Sequence, residues 1–363
     1  MNCKLGDIAD VIMGQSPESS YYNTIGEGTP FLQGNRTFGF KYPSFDTYTT
    51  KTTKMCKAGD TVMSVRAPVG DLNVAPIDFC LGRGVCSIRA KEPNNQNYIY
   101  YLLKNCVKLL VNAQNGTVFG SVNRKDICEL KVPSFSVDSQ LKIASILSSI
   151  DDKIELNNKI NDNLQQQVKT LYEDMVLNID FNSLPLGYKI INLSEIAEIF
   201  SGKRPNVRAT FPDAINKYPL VGAASIMGYT DNYNFNSRIL VTGRVGTHGV
   251  IQRFSSPCWA SDNTLIITSN YYEFVSQVLQ HFDYRSMNRG STQPLITQSD
   301  LKKKQLILPN IDKLESFEKN AESLMDKYDY NVLQNKRLSE LRDTLLPKLM
   351  SGEIDVSNIK LDL

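Results

Sequence analysis

Two kinds of hydrophobic pattern alternate along the chain. Short apolar runs bounded by Gly, Asn, Thr or Arg (TVMSV, GVCSIRA, RILVTG and NTLIIT) have the length and flanks of strands. NYIYYLLKNCVKLLV (97–111) and YYEFVSQVLQHF (271–282) carry apolar residues at helical spacing and predict one short helix each. A different grammar follows each of these regions. From Ser139 to Leu177 neither Pro nor Gly occurs for 39 residues, and Ile150, Ile154, Leu164, Val168, Leu171 and Met175 recur at spacings built from three and four. Ile311 to Met350 behaves likewise, with Leu324, Tyr328, Leu338, Leu341, Leu345 and Leu349. Both stretches predict long amphipathic helices with a coiled-coil seam, each roughly 57–60 Å long at 1.5 Å per residue. Pro347 is expected to kink the second or end it early.

Both seams turn polar in the middle. Asn157 and Asn161 take seam positions in the first, Asn331 and Asn335 in the second, and LNNK at 156 echoes LQNK at 333. Asn in a seam fixes register at a cost in stability. The two helices are therefore expected to pair antiparallel, with a polar layer flanked by Leu164, Val168, Leu338, Leu341 and Leu345. The fold class is α+β: two mixed, strand-rich domains (1–136 and 181–310), followed by long helices at 137–180 and, with a C-terminal tail, 311–363.

The two domains are copies. LGDIADVIMGQSP from Leu5 and LSEIAEIFSGKRP from Leu193 share the pattern Leu-x-acid-Ile-Ala-acid-apolar-apolar-x-Gly-x-x-Pro at an offset of 188. PFLQGNRTFGF parallels PLVGAASIMGY, and VMSVRAPVG around Arg66 parallels ILVTGRVGTHG around Arg244. NGTVFGSVNRKD parallels RGSTQPLITQSD, and ELKVPSF parallels QLILPNI. Five matches in constant order describe a duplication with loop-sized insertions.

Charge follows the same segmentation. The 363 residues carry a net +2, but residues 1–136 hold 15 Lys and Arg against 11 Asp and Glu, and 181–310 hold 13 against 8. The helical segments are acidic: 4 against 8 for 137–180, and 8 against 11 for 311–363. Basic domains suit a polyanion, whereas acidic helices suit a protein partner. Seven cysteines without a CxxC pair argue against a disulfide framework or a zinc site and for a reducing, cytoplasmic setting. Two histidines exclude His-rich metal chemistry. No apolar run is long enough to span a bilayer, so no membrane association is expected.

With those motifs in view, the chain resembles the specificity subunit of type I restriction–modification systems. LGDIADVIMGQSP, VRAPVGD, GTVFGSVNRKD, GSTQPLITQSDL and LRDTLLPKLMSGEIDV carry the likeness, which covers almost the whole chain. It implies two target recognition domains, each reading half of a split double-stranded DNA sequence. It implies too that the paired helices act as a spacer and dock two methyltransferase subunits. Restriction motor–nuclease subunits would be further partners, and S-adenosylmethionine, ATP and magnesium would be used by partners rather than by this chain. The chain is compact for that family, and its second VRAPVG segment is altered to GRVGTHG. Since the two domains differ in sequence, an asymmetric bipartite target is expected. A pseudo-symmetric assembly scaffold that no longer reads DNA is the alternative.

The residues themselves encode no catalysis: there is no G-x-x-x-x-G-K-[ST] phosphate loop and no Asn-Pro-Pro-aromatic methyltransferase signature. Pro212–Asp213 lacks the acid-x-Lys that a nuclease would add, and GRGVCS at 82–87 reads as a strand turn. Polar and basic loop positions are instead candidates for DNA contact. In the first domain these are Gln33, Asn35, Arg36, Lys41, Arg66, Thr117, Ser121, Asn123, Arg124 and Lys125. In the second they are Lys203, Arg204, Ser225, Arg244, His248, Ser291, Thr292, Gln293 and Gln298. Outward helix positions Glu155, Lys159, Gln166, Glu173, Lys336, Glu340 and Asp343 are candidates for partner docking.

Overall fold

The computed structural model describes residues 2–92, 95–112, 121–245, 247, 249–284 and 295–359. Compactness groups the chain into two units, Met1–Lys159 with Asn331–Leu363, and Ile160–Tyr330. Each unit therefore contains one globular domain and one half of each long helix.

In the first unit, the expected strands Thr61–Ser64 and Val85–Ala90 form the middle of a four-stranded antiparallel sheet. Ala9–Met13 and Leu72–Val74 complete it. A second sheet of five short strands includes Thr29–Leu32 and Phe79–Leu81, paired in parallel. Asn2–Lys4 pairs with Lys131–Pro133 and so closes the domain on itself. The helix Gln96–Asn112 packs beneath, with Tyr98, Ile99, Tyr101, Leu102 and Leu103 at most 1% exposed. Its core continues onto Ile143 and Leu147 of the first long helix and Leu346, Leu349 and Met350 of the second. Each such side chain stabilises the fold by about 1.5–3 kcal/mol relative to exposure.

The second unit repeats the plan. Glu198–Ser201, Thr264–Thr268, Ile239–Gly243 and Gln252–Phe254 form a four-stranded antiparallel sheet in the equivalent order. Lys189–Asn192 pairs with Gln305–Leu308, and Tyr218–Val221 pairs in parallel with Trp259–Ala260. The helix Tyr272–Gln280 buries Phe274, Val275, Val278 and Leu279 against Val168, Tyr172 and Val176 of the first long helix. Leu314, Phe317, Ala321 and Met325 of the second long helix join the same core.

The first long helix runs Val137–Tyr172 and continues through a π-turn at Glu173–Leu177, while the second runs Ile311–Ser351. Within each unit the two halves pack antiparallel. In the first unit Asn157 donates to Gln334 and to Asn335, and Asn335 donates to Asn158, each at 2.8 Å. The polar layer at Asn157 and Asn335 is thus present, widened by Asn158 and Gln334. Asn331, fully buried, belongs to this unit, and Asn161, 6% exposed, to the second.

Three details correct the helical pattern. Leu341 is 48% exposed, and the neighbouring Arg342 takes the buried position, its guanidinium 2.7 Å from Asp151. The reason is phase drift: a 3.6-residue turn moves the seam off a strict heptad over several turns. Leu171 likewise is 40% exposed, with Tyr172 buried beside it. Pro347 does not end the second helix, which carries on to Ser351. Burial of Leu346, Leu349 and Met350 around it outweighs the one main-chain hydrogen bond that proline forgoes. Leu164 and Val168 are buried as expected, and Leu338 and Leu345 are half-buried.

Candidate nucleic-acid interface

At one end of each four-stranded sheet, neighbouring loops are laced together by main-chain hydrogen bonds. In the first unit Gly14 N–H donates to Val85, Gln15 to Leu81, Gly84 to Gln33, Val65 to Gly84 and Val122 to Val65. The second unit repeats the lacing: Gly202 donates to Thr264, Lys203 to Ala260, Arg244 to Asn263 and Ile296 to Arg244. The duplicated glycine of the first motif now has a reason. A Cβ at Gly14 would lie 2.1 Å from the Gly82 carbonyl oxygen, and one at Gly202 would lie 1.9 Å from that of Ser261. No other residue fits so close a crossing.

This lacing brings Gln33, Arg66, Ser121 and Val122 into one loop cluster, with Arg66 bridged to Ser121. Gln33 and Arg66 are exposed, and Arg66 makes no ion pair among the described residues. Arg83, which the sequence reading passed over, sits between Gly82 and Gly84 at the same place, and its N–H binds Ser16 Oγ at 3.1 Å. Its signal was available. The two flanking glycines each meet the Gln33 backbone within 2.6 Å of a notional Cβ, so GRG is a close-packed turn presenting one arginine.

Other candidates are committed elsewhere. Lys41, expected at DNA, has only 11% of its side chain exposed and lies 2.5 Å from Asp152 on the first long helix. Burial lowers its pKa, but the Asp152 carboxylate more than offsets this and holds it above the usual lysine value. Asn123 caps the helix Arg124–Cys128, accepting from the N–H groups of Lys125 and Asp126. Arg124 Nε donates to the Val11 carbonyl at 3.0 Å. All three have internal partners, although Asn123 and Arg124 are also exposed. Arg36 and Asn35 remain at the surface, but bound to Asp46 and Asp71 at 2.6 Å each. Lys125 is exposed.

In the second unit Lys203 and Arg204 lie exposed on the turn after Glu198–Ser201, and Ser225 lies exposed on the loop that Gly222 closes. Arg244 and Gln298 come together: they line a cleft of about 460 Å³ with Ser201, Ser299, Lys302 and Lys303. Gln298 Nε2 donates to Ser201 Oγ at 2.8 Å. Lys302 and Lys303 were missed because the run LKKK reads as an ordinary solvated helix end. Thr117, His248, Ser291, Thr292 and Gln293 lie outside the described residues.

The register of the duplication needs one correction. Sequence comparison sets Arg66 against Arg244, but the hydrogen bonds set Val65 against Arg244 and Arg66 against Val245. Val65 and Arg244 donate to equivalent carbonyls, whereas Arg66–Ser121 and Val245–Leu295 are the equivalent bridges. The two arginines stand one position apart in equivalent loops, so the domains offer different cationic patterns from one scaffold.

On the helices, Lys159, Gln166, Lys336, Glu340 and Asp343 are exposed, while Glu155 and Glu173 are half-buried. Glu155 lies 3.7 Å from Lys159, and Glu173 lies 3.7 Å from Lys169 and 3.8 Å from His281. Among the described residues no helix is long and apolar enough to cross a membrane, and no group of three or more His, Cys, Asp or Glu is placed to hold a metal.

A family model described as the type I restriction modification DNA specificity domain matches residues 1–166 and 185–342. A putative type I restriction enzyme specificity subunit of Methanocaldococcus jannaschii, MjaX, is 40% identical over 162 residues. That match spans 44% of this chain and 38% of the relative. The MjaIX specificity subunit of the same organism is 24% identical across 98% of this chain and 94% of its own. The HindI specificity subunit of Haemophilus influenzae is 21% identical across 96% and 98%. Among solved structures, the type I restriction–modification S subunit from M. genitalium shares the fold, with a TM-score of 0.67, 18% identity and 96% of each chain covered.

Proposed function

The chain belongs to the type I restriction–modification DNA specificity family, and from that premise we propose that it is the sequence-specific DNA-binding subunit of such a complex. Each recognition domain reads one half of an asymmetric, bipartite target in double-stranded DNA, and the paired long helices set the unread spacer. The observation that carries this reading is the loop cluster built twice on one hydrogen-bonding plan with different side chains. Gln33, Arg66 and Arg83 occupy it in the first unit; Lys203, Arg204 and Arg244 occupy it in the second. Equivalent scaffolds with unlike polar groups favour unlike half-sites, since base edges are told apart by the donors and acceptors presented to them.

Two methyltransferase subunits dock on the acidic long helices in this proposal, with Lys159, Gln166, Lys336, Glu340 and Asp343 available on outward faces. Restriction motor–nuclease subunits join them. S-adenosylmethionine, ATP and magnesium act in those partners, and this chain contributes recognition and assembly rather than catalysis.

A genome-wide map of methylated adenines in cells holding this chain and its methyltransferase tests the reading. One asymmetric split motif is the expected result. Replacing Arg66 and Arg83 with alanine should relax one half of that motif and leave the other intact. Absence of any methylated motif from an assembled, expressed complex would instead favour a non-reading scaffold.

A further inference from the structure

Pseudo-equivalent positions in the two domains can be matched through their caps and ladders. Asn123 and Thr297 both cap a five-residue helix through a reciprocal pair with an aspartate, Asp126 and Asp300. That sets Cys128 against Lys302 and Glu129 against Lys303, the latter two being the C-caps. Met13 corresponds to Ser201 through their strand partners, and Val65 corresponds to Arg244.

The same corner is therefore built from opposite chemistry. In the second domain Arg244, Lys302 and Lys303 converge on the cleft beside the hydroxyls of Ser201 and Ser299, and among the described residues no carboxylate lines it. None of the three cations has an ion-pair partner among the described residues, and the nearby Asp300 is engaged with Thr297 at 2.7 Å. In the first domain the corresponding positions hold Val65, Cys128 and Glu129, and Glu129 is bound to Lys4 at 2.6 Å. Its cations at this corner are Arg124, held by the Val11 carbonyl, and the exposed Lys125, which matches Ser299.

We propose that the cleft formed by Arg244, Lys302 and Lys303 seats a backbone phosphodiester of the bound DNA, and that the first domain, with no cation at the three matching positions, does not repeat this seat. The inference rests on the DNA-reading function and assigns these residues to anchoring rather than to base reading. A cleft holding three cations and hydroxyl donors without an acceptor carboxylate matches a monoanion with two non-bridging oxygens. Such a contact is blind to sequence and displaces condensed counterions, so its mark is the salt dependence of binding.

The test uses the full chain assembled with its methyltransferase, and a mixed-sequence DNA duplex. The slope of log affinity against log salt is measured for the native complex, for Lys302→Gln with Lys303→Gln, and for Arg244→Gln. Each lost phosphate contact should flatten the slope by about 0.9. Affinity should fall by the same factor on the mixed duplex and on the methylated motif, and the motif itself should be unchanged. Lys302→Arg with Lys303→Arg should keep the native slope, which separates lost charge from lost fold. Lys131→Gln, an exposed lysine on the outer strand of the first domain, is the control and should keep it too.

An unchanged slope in the glutamine variants would overturn the proposal while leaving DNA reading intact. Relaxation of one half-motif would overturn it in favour of base contact. Loss of methyltransferase assembly with unchanged DNA binding would mean that the cleft meets an acidic protein surface. A native complex that binds neither duplex would remove both the cleft's role and the DNA-reading function beneath it.

Discussion

Replacing Arg342 with methionine should destabilise the first unit far more than the loss of a surface ion pair. Arg342 is 9% exposed at its side chain and Asp151 is 2%, with 2.7 Å between them. Taking away one member of a buried pair strands the other charge, at a cost of about 3–5 kcal/mol. Here the lower end applies, because Asp151 keeps the Tyr101 hydroxyl at 2.9 Å and Lys104 at 3.8 Å. A loss of about 3 kcal/mol lowers the folded-to-unfolded ratio roughly a hundredfold. Urea titration of the full chain, followed by amide exchange on peptides from residues 96–112, reads this in the affected unit. Adding Asp151→Asn removes the stranded charge, while the amide oxygen still accepts from Tyr101, so about 2 kcal/mol should return. If Arg342→Met alone costs less than about 1 kcal/mol, the pair behaves as an exposed one and the reasoning fails.

Three further outcomes are expected. Gly14→Ala or Gly202→Ala drives a methyl group into a carbonyl at 2.1 or 1.9 Å, so each should destabilise the fold by at least the roughly 1–3 kcal/mol typical of overpacking, read as a lowered thermal midpoint. Burial pushes the Cys86 thiol up to about 12 and the Cys258 thiol to about 11, and raises Cys56 as well. Iodoacetamide near neutral pH, with mass-spectrometric readout, should therefore label the partly exposed Cys3 and Cys128 well before these three. Burial also raises the Glu318 carboxyl above its ordinary value, despite the bonds it accepts from the N–H groups of Glu273 and Phe274. A raised carboxyl stabilises the fold below its unfolded value and loses that contribution as pH rises through its folded value. Glu318→Gln should thus match the native chain in acid and gain on it towards neutral pH in thermal melts.

Repeats, helices and seam polarity were legible in the sequence because each rests on spacing within one segment. The four strands read from TVMSV, GVCSIRA, RILVTG and NTLIIT became the paired centres of the two main sheets. What the sequence did not show depends on partners distant in the chain. Lys41 is recruited by Asp152, 111 residues away, and Arg124 by the Val11 carbonyl, 113 residues away. Neither partner leaves a trace near the lysine or the arginine. Arg342 takes the buried position that Leu341 was expected to fill because the seam drifts in phase along the helix, and the acid that then faces it, Asp151, lies 191 residues away. Lys302 and Lys303 were passed over for the same reason: their significance comes from Arg244, which only the fold sets beside them.

The division of each long helix between two cores has a consequence for synthesis. The second unit is one unbroken stretch of chain, Ile160–Tyr330, whereas the first needs both ends of the polypeptide. When residue 159 leaves the ribosome, Ile143 and Leu147 are present, but Leu346, Leu349, Met350 and Val356 are not. At roughly 5–20 residues per second the wait is on the order of ten to forty seconds. The unit that begins first is therefore finished last. Until then it carries an open hydrophobic seam, so nascent chains halted before residue 346 should be the form that chaperones hold and proteases clear.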